Sequence, residues 1–132
     1  MERRIINPWT WQDQLGFVQA NEVGDVRRTL FCSGVAAVDD DGNPVHPDDL
    51  NAQAARALDN LETLLAEAGF GLSDVVRLNY YTTDVDRFFG EAFGSLAGRM
   101  AEAGCRPAST LLGVTRLAFP ELMVEIEATA AA

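Results

Sequence analysis

The sequence predicts an α+β fold: a six-stranded mixed sheet with two helices on one face, in the order β-β-β-α-β-α-β-β. Three observations carry that prediction. Two long segments repeat their apolar residues with the 3.6-residue period of a helix buried on one side. Shorter runs rich in Val, Thr and aromatic residues stand between turn signals, which marks strands. The helical segments alternate with strands in mid-chain, and the flanks read as hairpins, an arrangement that segregates helices to one face of a sheet.

Taken in order, Arg3–Ile6 reads as a short strand. Phe17–Val23 and Arg28–Val38 are two strands flanking Gly24-Asp25, read as a hairpin turn. Asp39-Asp40-Asp41-Gly42-Asn43 is an exposed turn. From Asp48 to Ala68 the apolar stripe is Leu50, Ala54, Ala57, Leu58, Leu61, Leu64, Leu65 and Ala68. Asp48 and Asp49 suit the positive end of that helix, and Gly69 closes it. Val75–Thr83 is a strand. A second helix runs from Val85 to Ala103, with Asp84 or Asp86 as its cap, Gly104 as its stop, and Phe89, Phe93, Leu96 and Met100 on its apolar face. Gly90, Gly94 and Gly98 weaken it by up to ~1 kcal/mol each relative to Ala, and leave one smooth face. Ser109–Leu117 and Leu122–Ala130 are strands joined at Ala118-Phe119-Pro120-Glu121, read as another hairpin.

Composition narrows the function. The 132 residues, 48% hydrophobic and 23% charged, suit a single domain spanning 1–132 with a real core. No apolar run reaches the ~18 residues of a membrane helix, and no apolar leader follows Met1-Glu2-Arg3-Arg4, so the expected location is cytoplasmic. A net charge of −10 repels a phosphate backbone, so no nucleic-acid partner is expected. All ten basic residues are Arg. The absence of lysine removes Schiff-base chemistry and the phosphate-binding P-loop. One histidine, His46, leaves no multi-His metal site, and no metal is expected. Cys32 and Cys105 lack C-x-x-C spacing and read as reduced thiols.

The strands read as apolar on both faces. Leu30, Cys32 and Gly34 alternate with Phe31, Ser33 and Val35, and Leu111 and Gly113 alternate with Leu112 and Val114. Two helices cover one face only, so the other calls for a partner. A homo-oligomer is expected, with a small-molecule site built from two chains.

In that order the segments resemble the reactive-intermediate deaminase family, the Rid or YjgF type, also called endoribonuclease L-PSP-like. The resemblance rests on Gly16-Phe17-Val18-Gln19-Ala20, Phe31-Cys32-Ser33-Gly34-Val35, Gln53, Ala57-Leu58-Asp59-Asn60-Leu61 and Ala68-Gly69. It continues through Asp74-Val75-Val76, Tyr81-Thr82-Thr83-Asp84, Pro107-Ala108-Ser109-Thr110 and Val124-Glu125-Ile126-Glu127-Ala128. It implies a chorismate-mutase-like fold, a homotrimer with ligand clefts between subunits, and no metal or organic cofactor. It further implies hydrolysis of small enamines and imines, such as 2-aminoacrylate, to a keto acid and ammonia. In such enzymes the arginine of Pro-Ala-Arg-Ser grips the substrate carboxylate in a bidentate pair, and a glutamate on the last strand positions the attacking water.

This chain departs from that pattern at several points. The arginine position is Ser109, whose hydroxyl cannot replace a pair worth roughly 1.5–3 kcal/mol. Arg106 and Arg116 lie nearby in sequence, but neither occupies that position. The family tyrosine is Phe17, the glutamine after Ser-Gly is Val35, and an asparagine of the second helix aligns with Ala92. Glu125 remains as the candidate catalytic carboxylate. If buried among apolar groups it would have a pKa raised toward neutrality, as suits a general acid or base. Ligand-binding candidates are Phe17, Gly34, Val35, Phe89, Ala92, Ser109, Thr110 and Leu111, with backbone N–H groups near Val35 and Leu111. Trp9 and Trp11, two apart in an extended segment, would share one side, where they either wall the pocket mouth or pack across a subunit interface.

Each candidate has a plainer reading. Glu125 can be an interface glutamate, and Glu127 reads as structural. Ser109 and Thr110 can simply begin a strand. Cys32 reads as a buried thiol. Cys105 reads as a surface thiol whose pKa Arg106 would lower. His46 reads as a solvated loop residue. Asp39, Asp40 and Asp41 lack the later glutamate of a calcium loop. The expected function is processing of an imine or enamine more apolar than usual. A non-catalytic metabolite- or partner-binding trimer is the alternative, and a ribonuclease or translation inhibitor is disfavoured by the charge.

Overall fold

Alternating burial sets the centre of the molecule. In the computed structural model, which describes residues 1–132, Val75–Thr82 and Val124–Ala131 are the longest strands, and every second residue points into the core from Leu78 to Thr82 and from Val124 to Ala130. The full set is β1 (Glu2–Ile6), β2 (Ala20–Gly24), β3 (Thr29–Phe31), β4 (Val35–Ala36), α1 (Leu50–Glu67), β5 (Val75–Thr82), α2 (Val85–Arg87), α3 (Phe93–Glu102), β6 (Ala108–Gly113) and β7 (Val124–Ala131). A π-helical turn, Phe88–Ala92, joins α2 to α3.

The main sheet runs β3-β7-β5-β6, with β4 also pairing on β7. β7 is antiparallel to β3, β4 and β5, while β6 is parallel to β5. β1 and β2 form a separate antiparallel ribbon. It meets the main sheet at a single bridge, Val18 to Ala108. Asn21 Nδ2 strengthens that seam, donating to the Val76 carbonyl at 2.9 Å and the Arg106 carbonyl at 3.1 Å.

The α+β class, the mixed sheet and the element order hold, with β3 and β4 as one strand interrupted at Cys32–Gly34. The pairing differs from the sequence reading. With the third of the six predicted strands split into β3 and β4, the seven strands form a five-stranded sheet and a two-stranded ribbon. Gly24-Asp25 is no hairpin turn, since β2 pairs with β1 and β3 with β7. Residues 118–121 are no hairpin either, because β5 lies between β6 and β7. A strand–helix–strand crossover places β6 parallel beside β5 and leaves the antiparallel edge of β5 to β7.

Both helices pack on one face. Asp49 caps α1 through a hydrogen bond from Ala52 N at 2.9 Å, and Asp84 caps α2 through one from Arg87 N at 3.1 Å. Leu50, Ala54, Leu58, Leu61 and Leu65 of α1 meet Val75, Leu78, Val124, Ile126 and Ala128 of the sheet. The second helix buries Phe88, Ala92, Leu96 and Met100, and leaves Phe89 half exposed. Apolar periodicity alone places Phe89 on the buried stripe. The π turn spends an extra residue and shifts the phase, so Phe88 takes that place.

The opposite face is less apolar than the sequence suggested. It carries Arg77, Asn79 and Tyr81 of β5 and Glu125, Glu127 and Thr129 of β7, while the intervening residues face the core. Its exposed large hydrophobics are Phe31 at 80% and Leu112 at 49%. No helix is long and apolar enough to cross a membrane.

Candidate functional site

A pocket opens where β6 leaves the cover of α1. Ser109 pairs with Leu78 and Leu111 with Tyr80, so both β6 side chains point to the helix side of the sheet. The segment before β2 folds over them. It makes a short 3₁₀ turn at Asp13–Leu15, reverses at Gly16 (φ 73°), and fixes Val18 by a bond from its N–H to the Pro107 carbonyl at 2.9 Å. That reversal aims Phe17 at the β6 edge. Phe89 and Phe93 come from the π turn and the start of α3. Together with Leu15, Gly16 and Tyr80 these residues enclose about 160 Å³. No lining residue carries a charge, and the Ser109 Oγ is buried with no hydrogen-bond partner. β6 is the edge of the main sheet, so part of its backbone is free to bond a ligand.

The candidate carboxylate lies on the other face. Glu125 pairs with Tyr81 in β7 and points away from the core, half buried. Its side chain lies across Gly34, where a Cβ would sit only 2.6 Å from Cδ. Only glycine admits that approach. Glu125 shares this face of β7 with Glu127 and Thr129. Its neighbours are polar: Glu127 Oε1 accepts from Tyr81 Oη at 3.1 Å and from Asn79 Nδ2 at 3.2 Å. The bond to Glu127 pushes the Tyr81 phenol above its ordinary range. Asn79 Oδ1 is buried and unpartnered beside them.

The predicted site residues thus divide. Phe17, Phe89, Ser109 and Leu111 come together in the pocket. Glu125 and Gly34 come together on the opposite face. Thr110 shares that face, where its hydroxyl takes a bond from Arg77 at 2.9 Å. Val35 and Ala92 pack into the core instead of lining the pocket. Leu15, Tyr80 and Phe93 were not expected in it. Tyr80 could have been found from strand alternation, but Leu15 depends on a loop reversal that only Gly16 hints at.

Other expectations resolve as follows. Trp9 and Trp11 lie in an irregular segment rather than a strand, both exposed, and Trp11 meets the Phe17 ring edge-on at 6.0 Å. Cys105 is buried, not a surface thiol, and burial pushes it up to about 11 against the opposing pull of Arg3. Burial also raises Cys32. Arg106 lines an adjoining cavity of about 290 Å³ with Asp13 and Cys105, across Phe17 from the pocket. His46 is exposed. Asp39 accepts bonds from Asn43 N and Asp41 N, which hold its carboxyl below the usual range and make a self-contained turn.

Relatives agree with this architecture. A family model described as Endoribonuclease L-PSP matches residues 14–132. The fold is similar to a Rid-family protein of unknown function from Yersinia pestis, with 37% identity over 100% of both chains and a TM-score of 0.79. It is also similar to a YjgF/YER057c/UK114 family member from Mycobacterium tuberculosis, with 27% identity, 99% and 100% coverage and a TM-score of 0.65. A RutC family protein from Pyrococcus abyssi is 28% identical over 116 residues, which is 86% of this chain and 84% of that one. With a family model spanning nearly the whole chain and a Rid protein aligned from end to end, this chain belongs to the Endoribonuclease L-PSP family, that of the Rid and YjgF proteins.

Proposed function

We propose that the chain processes a small imine or enamine at a site shared between protomers of a homotrimer, with the pocket of one protomer facing Glu125 of the next. The observation that carries this reading is the Gly34–Glu125 pair. A carboxylate with no hydrogen-bond partner in its own chain lies against bare backbone, and any side chain at position 34 would displace it. Such a group can accept a proton from water while the backbone beside it stays open to a ligand. The water oxygen adds to the C=N carbon, the proton passes through Glu125 to nitrogen, and collapse of the adduct gives a carbonyl and ammonia. An enamine first takes a proton on carbon to become the imine.

The test is ammonia release from an imine generated in solution by an amine oxidase. Wild-type protein should accelerate release, and Glu125→Ala should lower that rate by about 10²-fold or more. Acceleration that survives Glu125→Ala would sink the mechanism, and no acceleration with any imine would sink the enzymatic reading. A second reading, a trimer that binds ligand without turning it over, draws on Ala92. That position is 1% exposed in the core, so the second helix brings no polar group to the pocket there. Ligand-induced thermal stabilisation without ammonia release would support it. The family's name points to RNA, but the −10 charge opposes a polyanion. RNA cleavage unaffected by Glu125→Ala would count against both readings.

A further inference from the structure

We infer that the pocket at Ser109 selects an uncharged ligand group of about the size of one aromatic ring, carrying a single polar atom that bonds the Ser109 hydroxyl, and that it rejects a carboxylate. This names the ligand class of the site proposed above and rests on that pocket being the ligand site. Three observations converge on it.

The first is volume. The pocket measures about 160 Å³. An apolar cavity near that size accepts benzene in another protein. The second is lining. Phe17, Tyr80, Phe89 and Phe93 present rings, and the Tyr80 hydroxyl is turned away toward Met100 Sδ at 3.3 Å. No cation lines the pocket to compensate an anion, and a carboxylate taken from water into such a place pays the full cost of desolvation. The chain's −10 charge adds to that exclusion. The third is the Ser109 Oγ, buried and without a partner. Buried hydroxyls are nearly always bonded, so an orphan in a pocket wall marks where a ligand's polar atom belongs. A hydroxyl both donates and accepts, so a carbonyl, imine, amine or alcohol would satisfy it. A site with a buried polar group also rejects the analogue that leaves the group unpaired.

Three ring compounds of nearly one size separate the contributions: benzyl alcohol, toluene and benzoate. Their dissociation constants are measured by NMR titration of the wild-type protein at the concentration where it is assembled. Benzyl alcohol should bind tightest, toluene about five-fold more weakly for want of one neutral hydrogen bond, and benzoate weakest. Ser109→Ala should make benzyl alcohol and toluene equal. Ser109→Arg should raise benzoate above both. Benzoate binding as well as benzyl alcohol to the wild type would overturn the inference, and would show that an arginine reaches the pocket from elsewhere. A preference for benzyl alcohol that survives Ser109→Ala would overturn it too, as would no ring compound binding at all. These readouts need no turnover. Ring binding without imine hydrolysis would therefore defeat the proposed reaction and leave this inference standing.

Discussion

Gly34 and Glu125 act as a pair, and the pair can be tested with one methyl group. A Cβ at position 34 would collide with the Glu125 carboxylate, the free end of a flexible side chain, so Glu125 would swing aside at little cost to the fold. Gly34→Ala should therefore keep its unfolding free energy within about 1 kcal/mol of wild type while losing ammonia release almost as fully as Glu125→Ala. Equal activity in wild type and Gly34→Ala would mean that the carboxylate's position over the backbone is immaterial. At this scale the sequence named Glu125, Gly34, Phe17, Phe89, Ser109 and Leu111, which the structure gathers into two groups. It did not show that the groups lie on opposite faces. Alternation separates Ser109 from Thr110 within β6, but relating either to Glu125 requires the registers of β6 on β5 and β5 on β7. Those registers leave no local trace. The surroundings of Glu125 are hidden for the same reason: Tyr81 lies opposite it through strand pairing, and Tyr81 and Asn79 both bond Glu127, two residues along the same face.

Among the elements, α1 was the most legible and is held by one polar residue. Gln53 is fully buried on its inner side. Its Nε2 donates to the His46 carbonyl at 3.1 Å and the Glu121 carbonyl at 2.8 Å, and its Oε1 accepts from Met123 N at 2.8 Å. One side chain thus pins the approach to α1 and the entry to β7. Gln53→Leu keeps the size but strands the Glu121 carbonyl and the Met123 N–H, while the His46 carbonyl keeps its bond from Asp49 N; it should cost about 3 kcal/mol in urea unfolding. A loss under about 1 kcal/mol would show that water replaces those bonds. The helix itself was readable because its period and its cap are local. The hairpins were misread because proximity in sequence stood in for pairing, whereas β5 takes β7 on one side and β6 on the other. The second helix was found, but its phase was not. A π turn needs an extra residue that apolar periodicity alone cannot locate, and it is what brings Phe89 and Phe93 to the pocket.

For the molecule as a whole, burial of neutral acids predicts an alkaline limit. Burial raises Cys105 to about 11, and raises Cys32 and Tyr80 as well. Each folded-state pKa lies above the unfolded one, so above about pH 9 the unfolded chain releases protons that the folded chain retains. Stability is then fully present at neutral pH and falls as pH rises through about 9 to 11. Cys105 alone accounts for about 2–3 kcal/mol of that fall. The slope of unfolding free energy against pH should flatten in Cys105→Ala, and an unchanged slope would assign the loss to other groups. The α+β class, the element order and the family were legible from patterns along the chain, while the apolar second face was overread. Phe31 and Leu112 are exposed there, but its middle is polar. That division has a cellular corollary on the proposed reading. A pocket on one side of a sheet and a free carboxylate on the other cannot meet within a single chain, however well folded. Dilution alone would silence the protein without denaturing it, so abundance, more than fold integrity, would set how much of it works.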